Sequence, residues 1–400
     1  MLTRRLGLLA SAFMFGAGPA LAQQKRPAAR KGKDATVPSG SPAETPVGSI
    51  DTAAKWAYIE DYDTGASLLE KQADDQMPPS SMTKLMTLYL VYEQLRQGRL
   101  KLGDELPVTE RAWRMEGSKM FVQIGTTVKV EDLIRGVVVQ SGNDAAIVLA
   151  EAIGGSEEQF AVKMNAKAKE LGLTDSFFKN CTGWPDPEQH MSPRDIAALA
   201  GRIIQDFPDY YHYDAEKSFR YNGIEQGNRN PMVQKGTADG LKTGHTDAGG
   251  FGLVASSKRN GRRVILVLNG MSSMHERAEE AERLMDWAFF NFEDVTLFSA
   301  SDVIEQVPVW LGAERTVSLV ASRDVIVTMP RNWRQKASVK VAYDSPITAP
   351  VARGDTLGKL TVTGEGIPHL DMPLIAAADV PLLGLPGRAI AVLSKYVTGT

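Results

Sequence analysis

The strongest constraint on the fold is that the hydrophobic period changes twice along the chain. From Trp56 it reads as strand, turn, strand, with Trp56 and Tyr58 on one side of Asp63-Thr64-Gly65 and Leu68 and Leu69 on the other. Pro78-Pro79 ends that pattern, and Leu85, Leu88, Tyr92 and Leu95 then recur at helical spacing, predicting an amphipathic helix from near Ser80 with Gly98 as its C-terminal cap. Two apolar helical segments fill residues 131–153 and break at Ser141-Gly142-Asn143. Residues 160–205 stay mostly helical around an irregular Gly183-Trp184-Pro185. Near Leu241 the period shortens to that of strands. Residues 251–256 and 264–268 flank Asn260-Gly261, a strong hairpin signal, and an amphipathic helix over about 276–290 closes the unit. After about residue 300 only short Val/Thr-rich runs remain, separated by Pro, Gly and Asp, which predicts a small all-β domain.

Composition removes several functions. Forty-five basic against 48 acidic residues leave 45 − 48 = −3, which argues against a charge-driven nucleic-acid binder. A single cysteine excludes a disulfide framework and a multi-thiolate metal site, and five scattered histidines argue against a histidine-rich centre. Met1–Ala22 reads as a cleavable export signal: Arg4 and Arg5, then apolar Leu6–Phe15, then Ala20-Leu21-Ala22. Residues 23–48 read as a disordered linker with a basic start at Lys25, Arg26, Arg30, Lys31 and Lys33.

Chemistry concentrates in three short motifs, in order: Ser81-Met82-Thr83-Lys84, Ser141-Gly142-Asn143 and Lys242-Thr243-Gly244. A lone Ser-x-x-Lys is expected by chance, and a second stands at Ser176-Phe177-Phe178-Lys179. Order separates the two, because only Ser81 precedes both partner motifs. On a helix, three-residue spacing places Ser81 and Lys84 on one face. A serine hydroxyl needs a nearby base, and a lysine serves as one only when burial or a neighbouring cation, here Lys242, lowers its pKa. Read alone, each motif has a plain structural alternative: a solvated helix lysine, a helix-capping turn, an edge-strand lysine. Together and in this order they form the pattern of penicillin-binding proteins and class A β-lactamases.

From about residue 49 onward the chain resembles the low-molecular-mass penicillin-binding proteins, specifically the serine-type D-alanyl-D-alanine carboxypeptidases. The resemblance also rests on the stretches Pro79–Thr87, Ser141–Ala146, Asp239–Thr246 and Asn228-Arg229-Asn230. It implies a transpeptidase or β-lactamase-like α/β (α+β) catalytic domain over 49–295, helices packed on an antiparallel sheet, a C-terminal β-sandwich over 296–385 and a short tail helix over 386–400. It implies Ser81 as nucleophile, Lys84 as base and Ser141 as proton relay to the leaving D-alanine. Asn143 would position the substrate, Lys242 and Thr243 with Arg229 would bind its carboxylate, and Gly244 and His245, the latter in a substrate-facing loop, would also bind substrate. The backbone N–H groups of Ser81 and His245 would form an oxyanion hole. The implied substrate is a peptidoglycan stem peptide, with β-lactams as inhibitors and no metal or organic cofactor; the implied location is periplasmic. The tail is short for the family, and Ile390, Leu393 and Val397 on one face would allow only weak membrane-surface contact.

Three alternatives compete. A β-lactamase would need a deacylating glutamate, and no Glu-x-x-x-Asn occurs between Ser141 and Lys242. An idle wall-binding scaffold would not need both lysines. An endopeptidase would use the same motifs. Cys181 reads as a buried bystander, and His190 with His245 lacks a third ligand for zinc.

Overall fold

The computed structural model describes residues 41–333 and 336–398, so the expected export signal and most of the expected linker lie outside the described residues. The linker's described end is not loose: Ala43 pairs with Ile50, and Glu44 exchanges both backbone hydrogen bonds with Glu70 at 2.8 Å.

The chain lays down β1 (Trp56–Asp61) and β2 (Ser67–Lys71), then leaves the sheet for a long helical excursion. It comprises α1 (Lys84–Arg96), a hairpin of β3 (Glu105–Pro107) and β4 (Thr127–Lys129) enclosing α2 (Glu110–Arg114), then α3 (Val130–Gln140), α4 (Asn143–Gly154) and α5 (Glu157–Leu171). There follow α6 (Pro193–Asp206), α7 (Pro208–Tyr211), the hairpin β5 (Ser218–Tyr221) and β6 (Ile224–Gly227), and α8 (Pro231–Lys235). The chain returns through β7 (Thr243–Thr246), β8 (Gly250–Arg259) and β9 (Arg262–Met271), and ends the unit with α9 (Met274–Asn291). The antiparallel sheet runs β2-β1-β9-β8-β7. Asn260 and Gly261, at φ 52° and 88°, supply the left-handed pair that a tight β8–β9 turn requires.

The sheet is covered on both faces. Along β9, Ile265 and Val267 enter the core shared with α1, α3, α4 and α6, whereas Val264, Leu266 and Leu268 enter a second core against α9. The expectation for α1 needs correction. It is not amphipathic: every residue from Lys84 to Tyr92 is buried, because Met86, Leu90 and Val91 make its other faces apolar too. Ser81 lies in a single 3-10 turn, Ser80–Thr83, that precedes α1.

Beyond α9 the elements among the described residues are strands until the tail. Strand β10 (Phe292–Phe298) pairs with β13 (Val325–Pro330), and the expected boundary at 295/296 falls inside it. A six-stranded sheet is formed by β11 (Glu305–Trp310), β12 (Thr316–Ala321), β14 (Ser338–Tyr343), β15 (Ile347–Thr348), β16 (Thr356–Gly364) and β17 (Ile367–Ala376). The tail helix is α10 (Leu385–Thr398). The two regions are joined through Arg262, whose Nε donates to buried Asp61 at 2.7 Å, lies 3.3 Å from Asp294 of β10, and whose Nη1 donates to the Phe292 carbonyl at 3.0 Å.

Candidate active site

Lys84 is the first residue of α1 and wholly buried. Its Nζ stands 2.9 Å from Ser81 Oγ, donates to Asn143 Oδ1 at 2.7 Å and to the Thr182 carbonyl at 2.6 Å. The expected juxtaposition of Ser81 and Lys84 is therefore present, although the spacing acts through a 3-10 turn running into an α-helix. Burial above all, and then the Arg229 guanidinium, bring the Lys84 pKa from 10.5 down to about 7. The sequence pointed to Lys242 as the cation acting on Lys84. Arg229 adds to this, and Lys242 is itself held well below its ordinary value, by burial and then by Lys84 and Arg229, so the two lysines disfavour each other's charge.

Ser141 caps α3 in the left-handed region at φ 61°, and its buried Oγ has no hydrogen-bond partner among the described residues. Asn143 opens α4. Its Nδ2 donates to the Glu116 carbonyl at 2.7 Å, so one of its two N–H groups is committed before any substrate arrives. Next to it the Asp144 carboxylate accepts the backbone N–H groups of Met120, Phe121 and Val122 at 2.9–3.1 Å and so ties the 116–122 segment to α4.

Strand β7 forms the opposite wall. Gly244 is required by proximity: a Cβ there would lie 2.9 Å from Ser80 Cβ and 3.2 Å from Ser81 N. Thr243 is buried, while His245 is exposed and stacks on Phe251 at 3.9 Å between ring centroids. Between the walls runs a groove of about 600 Å³, lined by Ser81, Ser141, Thr243, Gly244, His245 and Arg229 among others. Arg229 donates from Nη1 to Ser118 Oγ at 2.7 Å. Sequence reasoning missed Arg277 of α9, which lines the same groove and whose pKa burial and Arg229 bring down to about 10. With Lys242 and Arg229 it makes a cationic end suited to a carboxylate, and its position on a helix far from the motifs left no local signal.

The remaining sequence candidates go elsewhere. Ser176 Oγ donates to Asp195 at 2.8 Å and Lys179 pairs with Glu188 at 2.7 Å, so the second Ser-x-x-Lys is not a functional pair. Cys181 is buried, donates from Sγ to Glu157 at 3.3 Å, and burial raises its thiol pKa. His190 stacks on Phe177 and donates from Nδ1 to the Glu188 carbonyl at 2.8 Å, away from the Phe251 platform of His245.

Comparison with known proteins places this geometry. Residues 41–273 match the model of the D-alanyl-D-alanine carboxypeptidase family, and residues 292–382 match the C-terminal domain of penicillin-binding protein 5. The chain is 37% identical to the D-alanyl-D-alanine carboxypeptidase DacA of Haemophilus influenzae over 84% of this chain and 86% of that one. It is 36% identical to DacC of Escherichia coli over 88% and 90%. The crystal structure of penicillin-binding protein 5 from Haemophilus influenzae superposes with a TM-score of 0.75 at 35% identity, covering 82% of this chain and 97% of that one. With a family model spanning more than half its length and relatives of this identity along most of it, the chain belongs to the D-alanyl-D-alanine carboxypeptidase family of penicillin-binding proteins.

Proposed function

We propose that the protein is a serine-type D-Ala-D-Ala carboxypeptidase that trims peptidoglycan pentapeptide stems through an acyl-enzyme on Ser81. The observation that carries this reading is the 2.9 Å contact between Ser81 Oγ and a wholly buried Lys84 amine. With a pKa of about 7, that amine is neutral often enough to take the serine proton. Ser81 Oγ bonds to the carbonyl carbon of the penultimate D-alanine, the C–N bond to the terminal D-alanine breaks, and the proton passes from Lys84 to the leaving amine, with Ser141 as relay. Water then hydrolyses the ester and returns Ser81. Lys242, Thr243 and Arg229 receive the terminal carboxylate, whose negative charge offsets the burial that lowers the Lys242 pKa. The backbone N–H groups of Ser81 and His245 stabilise the oxyanion, and Asn143 orients the substrate amide.

A β-lactam presents a strained amide to the same serine and acylates it. In support, a solved relative, penicillin-binding protein D2 from Listeria monocytogenes, is in an ampicillin-bound form; it is 27% identical, with a TM-score of 0.55, over 60% of this chain and 98% of that one. The setting we infer is periplasmic, after export by residues 1–22. Among the described residues no helix is long and apolar enough to cross a membrane. The exposed Leu385, Ile390 and Leu393 of α10 give that helix a small apolar face for weak contact with a lipid surface.

The test is incubation with a D-Ala-D-Ala pentapeptide. Free D-alanine and tetrapeptide should appear with the wild type and vanish with Ser81→Ala, and labelled penicillin should give a long-lived adduct on Ser81. Undiminished D-alanine release by Ser81→Ala would refute the mechanism, and rapid penicillin turnover would make the protein a β-lactamase.

A further inference from the structure

The shortest of the three Lys84 contacts is with a main-chain carbonyl, that of Thr182 at 2.6 Å. A carbonyl is only as well placed as its loop, and one side chain closes this loop. Asn180 Oδ1 accepts the backbone N–H groups of Thr182, Gly183 and Trp184 at 3.2, 2.8 and 3.0 Å, and the Thr182 hydroxyl at 3.1 Å. Its Nδ2 donates to the Trp184 carbonyl at 2.9 Å. Within the turn Cys181, Thr182 and Gly183 are all buried. Gly183 sits so close to the nucleophile's turn that a Cβ would lie 1.7 Å from the Ser80 carbonyl oxygen.

We propose that Asn180 is a positioning residue for the Ser81 reaction: by closing the 180–184 turn it seats the Thr182 carbonyl on Lys84 and keeps water off the amine. The proposal rests on the reading of Lys84 as base. A neutral amine has two N–H groups and one lone pair. With Asn143 Oδ1 and the Thr182 carbonyl taking the N–H groups, the lone pair is left for the Ser81 hydroxyl proton. Without the turn, an N–H group can swing toward Ser81, and water reaching Nζ restores the ammonium form. The charged or titratable groups facing Lys84 are Cys181 of the turn, Glu157 of α5, Asp144 of α4, Arg229 ahead of α8 and Lys242 ahead of β7. Replacing Asn180 alters none of them.

The experiment follows the second-order acylation rate with fluorescent penicillin from about pH 5 to about pH 10, normalised to the Ser81 that the penicillin titrates. In Asn180→Ala the acid limb of the profile should move about one pH unit alkaline, making acylation about fivefold slower at pH 7, with most of the rate regained at high pH. Thr182→Val removes the hydroxyl that donates to Asn180 and accepts the Trp184 N–H, and should move the limb the same way by less. If Asn180→Ala yields no titratable enzyme, Thr182→Val decides. An acid limb that stays in place, with rates unchanged or lowered equally at every pH, would overturn the proposal and leave Asn180 a purely structural residue. A wild type that forms no Ser81 adduct at any pH would instead remove the underlying reading of function.

Discussion

The catalytic region and the C-terminal β region bury different things. Between Thr52 and Glu280 the core takes in Lys84, Ser141, Asn143, Asp144, Asp214, Asn228, Asn230, Lys242 and Arg277 alongside its apolar residues. From Phe292 onward, among the described residues, Thr328 is the one buried polar side chain, and the core is Val, Leu, Ile, Met and Ala. The β region reads like a sheet obeying strand alternation: along β12, Val317, Leu319 and Ala321 are buried while Thr316, Ser318 and Val320 are not. The catalytic region instead bears the cost of desolvating charged groups, Lys84, Lys242, Asp214 and Arg277 among them. That cost is what lowers the Lys84 pKa toward that of the proposed base, so the lesson is that stability and reactivity are assigned to separate parts of one chain.

Substitutions can break or sharpen this contrast. The largest effect should come from Lys84→Ala, which removes the base and should slow acylation of Ser81 by about 10³-fold or more, read as adduct formation with labelled penicillin. Gly244→Ala should follow. Its Cβ would push β7 away from Ser80 and Ser81, costing about 10²-fold in acylation with little change in melting temperature. In the β region the order should reverse. Leu360→Ala, at a wholly buried position, should cost about 2–5 kcal/mol in denaturant unfolding of that region and leave acylation at 25 °C unchanged. The smallest effect concerns Asp214, whose buried carboxyl has no partner on either oxygen among the described residues and whose pKa burial raises from 3.8 to about 8. Its folded pKa exceeds its unfolded one, so it contributes stability at low pH that is lost as pH rises from about 4 through about 8. Asp214→Asn should flatten that decline in a series of melts across the window, and an unchanged slope would show that Asp214 is hydrated.

Much of this was legible beforehand because it is written in side chains at fixed spacing. The Asp63-Thr64-Gly65 turn, the Asn260-Gly261 hairpin and the break at Ser141 between two helices each rest on local chemistry that tertiary structure did not override. The three motifs converge on one groove for the same reason. What sequence reasoning missed has no side-chain signature or no local one. The carbonyl of Thr182 is a backbone atom, and its placement depends on Asn180. Arg277 arrives on α9 from the far side of the sheet's last strand. The environment of α1 was misread because one apolar stripe is visible in a period, whereas burial on every face depends on α4, α5 and α6 closing around it.

The central claim is that Lys84 is an amine that burial keeps near neutrality. An NMR titration of the Lys84 side chain in the free enzyme, assigned through Lys84→Arg, measures that directly. The account predicts a midpoint at about 7. A midpoint near the ordinary 10.5 of a lysine would contradict it, since the amine beside Ser81 would then be an ammonium ion throughout the working range.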